Sequence, residues 1–388
     1  MFFVLALFAF FSIALPDNLI GVAWPSMRES LGQPLAAMSL VLPFGVAANI
    51  VASSGWTWAL ARLGMGRLLA TSVGVSAVAL LCCVLAPGYW LVVASAVPAG
   101  LAGGAIDSAL NAFAARHFGP RQINWMHASY GVGAATSPLV VVAVLDQGAS
   151  WRWAYGIVLG LQLLLMVLFV RTAHRWAREA PTPARDYALP GRGPVRTLMR
   201  QPRAITGACV VAVQTGIETS VGLWGYVYLL ERVHLDPAVA GAVVSGYWVA
   251  MVAGRVVLGS IAERLGTWTM LTSASMALLG ATALTLAPSP ILGEGAILLI
   301  GLSTAPIYPL LVLTTRERTT PEHVDRLVGL QAAASSLGAV TFPTILGFAL
   351  AFDPKAFAPC LVILATISTS GLLGLRRHRQ PLTTVSAC

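Results

Sequence analysis

Residues 2–26 read FFVLALFAFFSIALPDNLIGVAWPS, an almost unbroken apolar run that contains one carboxylate, Asp17, directly after Pro16. About 20 apolar residues suffice for a helix to cross a bilayer, so this run predicts a membrane-spanning helix. No basic segment precedes it, which favours a first span over a cleaved signal peptide, the alternative. An Asp at the centre of such a helix costs about 2.5–3.5 kcal/mol on insertion scales, so Asp17 is a functional candidate.

The rest of the chain has the same apolar composition. Of its 388 residues, 57% are hydrophobic and 10% are charged, whereas a soluble domain carries roughly 25% charged residues. These charges are too few to cover a soluble surface, so we predict an all-α membrane protein. The five cysteines lack the spacing of metal ligands, and we expect neither a metal nor another cofactor.

Long apolar segments recur along the whole chain, and we count twelve of them. One long connection, rich in Arg, Pro and Gly, separates six spans from six. We therefore predict an N-terminal six-helix bundle at 1–170, a cytoplasmic linker at 171–203, a C-terminal six-helix bundle at 204–375 and a tail at 376–388. The predicted spans are 2–26, 35–60, 67–86, 89–115, 122–145, 153–170, 204–230, 237–261, 268–287, 291–314, 327–352 and 356–375.

The basic residues are distributed unequally between the two sides of the membrane. With twelve spans, 19 arginines fall on the side of the termini and four basic residues fall on the other. The positive-inside rule then places both termini and the linker on the cytoplasmic side. We expect the protein to lie in the inner membrane. The net charge of +9 is thereby explained without nucleic acid. The 19 are Arg62, Arg67, Arg116, Arg121, the eight of the linker, Arg264, Arg316, Arg318, Arg326, Arg376, Arg377 and Arg379; opposite lie Arg28, Arg152, Arg232 and Lys355.

The two halves of the chain are related to each other. At a constant offset of 202 residues, 29–64 aligns with 231–266, so that Glu29 falls on Glu231 and Gly64 on Gly266. Two six-helix halves with a basic loop between spans two and three are a transporter architecture, with the substrate site between the halves near the membrane midplane. We expect a monomer that handles a small-molecule substrate in the lipid bilayer.

Three segments resemble the major facilitator superfamily. ARLGMGR (61–67) is similar to its loop 2–3 motif, although Ala61 stands where an Asp is expected, and GRVVLGSIAERLG (254–266) keeps more of the pattern in the second half. GASWRWAYG (148–156) is also typical. The resemblance covers the whole chain and implies twelve transmembrane helices in two pseudo-symmetric bundles. It implies a role in conformational change for Arg62, Gly64, Arg67, Arg255, Glu263 and Arg264.

A narrower resemblance is to the fucose-permease-like sugar:proton symporters. It is carried by the pair Asp17-Asn18, by GGAIDSALNAFAA (103–115), by GIETSVGLWGYVYL (216–229) and by the Pro-interrupted segments APIYPLLV (305–312) and SSLGAVTFPTILG (335–347). The resemblance implies a sugar or a related solute, although related transporters move other solutes.

Three acidic residues deep in predicted spans are candidates for proton coupling: Asp17, Asp107 and Glu218. Asp107 and Asn111 are one turn apart and share a helix face. Proton transfer requires a carboxyl that can titrate in the working pH range. A buried hydrogen bond or a structural ion pair is the alternative for Asp107. For the first span, the alternative is that Asp17 or Asn18 caps a helix that restarts after a break at Pro16.

Arg255 lies within span eight, two turns before Glu263. We expect it to pair with an acidic neighbour of the motif region, with contact to an anionic substrate as the alternative. Among the polar and aromatic candidates for substrate binding, Trp224 offers a ring face suited to sugar C–H groups, and His127 is a possible proton shuttle. The candidates are Asn18, Asn49, Asn111, His127, Tyr130, Gln214, Trp224, Tyr247, Tyr308 and Gln331.

The leading hypothesis is a secondary active transporter that works by alternating access, coupled to protons or, alternatively, to Na⁺. A proton-driven exporter of drugs or metabolites is the second hypothesis. A membrane receptor of the same fold is a third, and it would not need titratable acids. We find no nucleophile constellation and no acid–base pair in the sequence, so we do not expect an enzyme.

Overall fold

A computed structural model describes residues 2–179, 201–287, 289–319 and 323–377, and every structural statement below concerns these residues. They form α-helices joined by short turns, three of which are 3₁₀ turns at Leu35–Ala37, Thr314–Glu317 and Pro354–Ala356. The helices are α1 (Phe2–Ser30), α2 (Met38–Leu63), α3 (Met65–Leu85), α4 (Tyr89–His117), α5 (Pro120–Asp146), α6 (Arg152–Glu179), α7 (Pro202–Glu231), α8 (Pro237–Leu265), α9 (Thr267–Leu284), α10 (Pro290–Thr304), α11 (Ile307–Leu313), α12 (Val324–Phe352) and α13 (Phe357–Arg377).

The order and type of the elements confirm the prediction of an all-α membrane protein. Among the described residues, eleven helical segments are long and apolar enough to cross a membrane, with α10 and α11 counted together. Helix α9, of 18 residues, occupies the place of the ninth predicted span. The chain is therefore a multi-pass membrane protein.

Three helices differ from the sequence-based expectation. Helix α1 runs without a break through Pro16, so the alternative in which Asp17 or Asn18 caps a restarting helix is wrong. Helix α6 continues to Glu179, into the expected linker, because the residues after 170 favour helix as readily as loop. The tenth span is divided at Pro306 into α10 and α11. The remaining linker residues, 180–200, and the tail from 378 lie outside the described residues.

The described residues divide into two compact units. Unit 1 contains residues 2–179, 222–249 and 347–354, and unit 2 contains 201–221, 250–346 and 355–377 apart from the gaps given above. These bounds cut through helices α7, α8 and α12. The expected boundaries of the bundles at 1–170 and 204–375 remain a prediction.

Small side chains bring helices together within unit 1. Ser129 and Ser137 of α5 donate to the carbonyl oxygens of Leu7 and Leu15 of α1, each at 2.9 Å. Gly133, midway between the two serines, faces the α1 backbone so closely that a Cβ would contact it. This spacing of four residues places the small groups on one face, which is how helices in lipid approach each other.

Unit 2 repeats the neighbour relations of unit 1. Helix α9 packs against α10 and α13, as α3 packs against α4 and α6. Close approach again occurs at glycines: Gly338 of α12 lies against Ala212 of α7, and Gly254 of α8 lies against Leu302 of α10. These two pairs, α7 with α12 and α8 with α10, correspond to the pairs α1 with α5 and α2 with α4 in unit 1. The pseudo-symmetry is therefore present in the packing.

The backbone confirms the register of the internal repeat. Gly64 and Gly266, which are 202 residues apart, end α2 and α8 with φ of 71° and 85°. Gly32 and His234, again 202 apart, have φ of 63° and 62°. Positive φ is easy for glycine and uncommon for His. The two halves therefore share this loop conformation although one carries glycine and the other His.

Candidate functional site

Two acidic side chains of unit 1 lie near each other. Asp17 of α1 and Asp107 of α4 are both exposed although they lie within membrane-spanning helices, and they are near enough for their charges to act on each other. Asn111, one turn after Asp107, donates from Nδ2 to its Oδ1 at 2.9 Å, as the shared helix face predicted. Since like charges repel, ionising both carboxyls at once is unfavourable.

The turn of α1 that carries Asp17 is held by side-chain amides. Asn18 is half-buried and donates from Nδ2 to the carbonyl of Ala14 in its own helix at 2.8 Å. Gln162 of α6, a residue that the sequence analysis did not single out, is buried and donates to the carbonyl of Ser12 at 2.7 Å. Its one sequence signal is that it is an amide in an otherwise apolar run, GLQLLL (160–165).

Three further candidates of unit 1 are half-buried and lie on the helices around this pair. The Oδ1 of Asn49 in α2 accepts from Ser53 at 3.5 Å. His127 of α5 is edge-on to Phe10, with 5.2 Å between ring centroids. Tyr130, also on α5, packs partly against the apolar core.

Trp224 and Tyr247, two further aromatic candidates of unit 1, are buried in packing. Trp224 of α7 is fully buried, and Gly347 of α12 makes room for its ring, because a Cβ there would overlap both the ring and Ser39. Tyr247 of α8 is also fully buried, and its ring meets Trp248 edge-on at 5.1 Å. In this structure both rings contact protein groups and offer no free face.

In unit 2, one ion pair joins α7 and α8. Arg255 Nη2 lies 3.5 Å from Glu218 Oε1, and the side chains are 37% and 20% exposed. Arg255 thus has an acidic partner on α7, which the spacing along α8 does not predict. Its expected pairing with an acid of the motif region stays a prediction, because the side chain of Glu263 is not among the described ones. Gln214, one turn before Glu218, is fully buried, and neither end of its amide has a hydrogen-bond partner among the described residues.

Gln331 belongs to a separate polar cluster of unit 2. It is fully buried. In the amide orientation that satisfies both ends of the side chain, its oxygen accepts from Nη1 and Nη2 of Arg318 at 3.0 and 2.7 Å, and its nitrogen donates to Oγ1 of Thr315 at 3.1 Å. Arg318 also donates to the carbonyl of Leu311. Burial lowers the pKa of the Arg318 guanidinium to about 10. Arg318, counted above as a loop charge, is therefore a packed residue, and Tyr308 is half-buried on α11.

Apart from Arg255, which lies within α8, the residues assigned to conformational change lie at or near helix ends. Arg62 and Arg67 are exposed on either side of Gly64, and the Arg62 guanidinium lies over the Trp58 ring at 4.0 Å. Arg264 is exposed at the equivalent place in the second half. The side chain of Glu263 lies outside the described residues.

The chemistry of these groups suits proton exchange and hydrogen bonding to a solute. Carboxyls, amides and a guanidinium line the middle of the spans, and the described residues contain no group of three His, Cys, Asp or Glu that could hold a metal ion. In unit 1, Asn111 is hydrogen-bonded to Asp107, whose charge acts on Asp17. In unit 2, Glu218 and Arg255 are ion-paired, and Gln214 lies one turn before Glu218 on α7.

Solved transporter structures share this fold. A variant of the nucleoside transporter NupG superposes with a TM-score of 0.76 at 12% identity, covering 96% of this chain and 98% of that one. A bacterial homologue of the human lysosomal transporter Spinster, inward-facing and unoccupied, gives 0.75 at 15% identity and 98% coverage of both chains. At these identities the likeness concerns the fold alone.

Sequence relatives point to the same family. The glucose/mannose transporter GlcP of Bacillus subtilis (strain 168) is 23% identical over 317 residues, which is 78% of this chain and 77% of that protein. The family model described as Major Facilitator Superfamily matches residues 6–343 and, in a second match, 208–383. The chain therefore belongs to the Major Facilitator Superfamily, and it is a transporter and not an enzyme.

Proposed function

We propose that this transporter carries a hexose or a related small polar solute together with protons, by alternating access. The observation that carries the proposal is the pair Asp17 and Asp107, two exposed acids on different spanning helices whose charges act on each other. An unpaired charge is expensive in the membrane interior. Protonating one or both carboxyls removes that cost, so proton loading can be linked to the conformational step.

The sugar class is supported by the relative and by the chemistry of the polar groups. GlcP is named a glucose/mannose transporter. Sugar hydroxyls both donate and accept hydrogen bonds, and the amide of Asn111 and the guanidinium of Arg255 provide matching partners. The amide of Gln214 is fully buried and would contact a sugar only after a rearrangement. Glu218 is the acid of the second half in this proposal. The buried rings of Trp224 and Tyr247 would contact a sugar only after a rearrangement.

The placement in the membrane is part of the proposal. We place the transporter in the inner membrane with both termini in the cytoplasm, because of the excess of arginine on that side. We further propose that it works as a monomer. Two six-helix bundles, 1–170 and 204–375, would then move about the site, with 171–203 as the linker between them.

Uptake by proteoliposomes under an imposed pH gradient tests the proposal. The wild type should accumulate labelled glucose when the external side is acidic, and Asp17→Asn and Asp107→Asn should lose accumulation. Asp146→Asn, which neutralises an exposed acid at the end of α5, is the matched control and should behave as wild type.

The other outcomes are equally informative. If Asp17→Asn and Asp107→Asn both accumulate glucose as well as wild type, the assignment of these acids is wrong. Accumulation that follows a Na⁺ gradient instead of a pH gradient would show that the coupling ion is Na⁺ and not H⁺. Loss of solute from the vesicles against proton uptake would identify the exporter.

A further inference from the structure

The carbonyl oxygen of Ser12 in α1 has no backbone donor at its usual position. In an α-helix it would accept from the N–H of residue 16, but that residue is proline and has none. The side-chain amide of Gln162 in α6 takes this place, with Nε2 donating to Ser12 O at 2.7 Å. The hydrogen bond that the proline removes from α1 is thus supplied by another helix.

The environment of Gln162 indicates that its bond to Ser12 is the reason why this buried position carries an amide. The residue is 1% exposed, and its Oε1 is buried with no hydrogen-bond partner among the described residues. A buried acceptor without a partner is destabilising, so packing alone would favour an apolar side chain of the same size. The Ser12 carbonyl also fixes the orientation of the amide, since the opposite orientation would bring two acceptors together.

The bond acts on the turn that carries Asp17. Proline together with an unsatisfied carbonyl is a common cause of helix kinks, and Asp17 directly follows Pro16, so a change of bend there redirects its carboxyl. We propose that Gln162 is a positioning residue for Asp17, holding the turn of α1 at residues 12–16 so that the carboxyl stays beside Asp107. The inference rests on the proposed role of Asp17 in proton coupling.

The charged and titratable groups around this turn belong to several helices. The charge of Asp107 acts on Asp17 from α4. On α5, His127 meets Phe10 in the preceding part of α1, and Tyr130 lies one turn further on. Tyr155 of α6 and the pair of Arg28 with Glu231 contact α1 about three turns further on, at Met27 and Arg28, and so lie away from this turn. Gln162 itself carries no charge, so its replacement alters the position of Asp17 without adding a titratable group.

The test exploits the missing N–H of proline. Gln162→Leu removes the donor to Ser12, whereas Pro16→Ala returns a backbone N–H to the helix. We expect Gln162→Leu to reduce the maximal rate of proton-driven sugar uptake about five- to tenfold and to displace the midpoint of its pH profile. In Pro16→Ala/Gln162→Leu, rate and midpoint should return towards the wild-type values. Gln162→Met, a flexible apolar replacement, is measured alongside in case Gln162→Leu does not fold.

Ser137→Ala is the matched control. Ser137 also donates to a carbonyl of α1, that of Leu15, but this carbonyl keeps the N–H of Leu19 as its helical partner. Its loss should leave the pH profile unchanged. If the Gln162 variants lower thermal stability but keep the wild-type midpoint, or if Pro16→Ala does not restore uptake, Gln162 is structural and the inference is wrong. If Asp17→Asn keeps the wild-type pH profile, the proposed function fails for Asp17 and the inference fails with it.

Discussion

Arg28 of α1 and Glu231 of α7 form an ion pair in which Nη2 and Oε1 are 3.4 Å apart, with side chains 29% and 32% exposed. Glu231 is the last residue of α7, where a negative charge opposes the helix dipole, and Arg28 provides the compensating charge. Beneath the pair, a Cβ on Gly21 of α1 would lie 2.9 Å from the carbonyl oxygen of Leu223 in α7. These ends of α1 and α7 are therefore closed against each other within unit 1.

The first prediction concerns opening of this end, which alternating access requires. Arg28→Glu or Glu231→Arg places like charges together and should separate α1 from α7, while the double exchange restores attraction. The reporter is Ser245→Cys, because Ser245 of α8 is buried and donates to the carbonyl of Ala135 in α5 at 2.6 Å. Labelling by a membrane-impermeant maleimide should accelerate in each single variant and slow again in the double variant.

Glu29 provides the control for this prediction, because it is an exposed acid next to Arg28. Glu29→Gln should leave the labelling rate of the reporter unchanged. An exposed pair contributes about 0–1 kcal/mol, so its removal should shift a conformational equilibrium up to about fivefold without unfolding the protein. Equal labelling rates in all variants would show that the pair does not hold this end closed.

The second prediction concerns the close contact of α2 and α4. A Cβ on Gly104 would overlap the backbone of Asn49 and lie 2.9 Å from Ser53 Oγ, whereas a Cβ on the preceding Gly103 would meet its nearest neighbour at an ordinary 3.6 Å. Gly104→Ala should therefore lower the free energy of unfolding by about 1–3 kcal/mol, and Gly103→Ala should not. Thermal unfolding in detergent measures both, and equal midpoints would contradict the packing argument.

The third prediction concerns the pair of Glu218 and Arg255. Removing one partner leaves a charge without its counter-ion in the interior of the spans, which is more harmful than removing both. Glu218→Gln and Arg255→Gln should each reduce sugar uptake and stability more than the double variant does. A double-mutant cycle of uptake rate and unfolding midpoint measures the coupling. Additive effects of the two substitutions would show that the 3.5 Å contact has no energetic role.

Much of the fold could be predicted from sequence because it depends on local features. Span length follows from the apolar runs, and the shared face of Asp107 and Asn111 follows from the helical period. The equivalent positions of Gly64 and Gly266 at helix ends follow from the internal repeat. Side-chain partners that lie far apart in the chain could not be predicted in this way.

Three of these distant contacts changed the interpretation of individual residues. Arg28 meets a residue 203 positions away, Gln162 meets α1 across 150, and Trp224 is enclosed by α12. Sequence identified the candidate acids, and tertiary packing decided which amides and cations support them.

The fourth prediction concerns the buried arginine of unit 2. A Cβ on Gly207 of α7 would overlap the guanidinium of Arg318, which would have to leave its bonds to Leu311 and Gln331. Gly207→Ala should lower the free energy of unfolding by about 1–3 kcal/mol. Gly329→Ala on α12, where a Cβ would meet nothing within 4 Å, is the control and should be neutral or stabilising, because alanine favours helix. In an Arg318→Met background the cost of Gly207→Ala should shrink, since the flexible methionine can move aside. An undiminished cost there would show that the glycine is required for a reason other than the guanidinium.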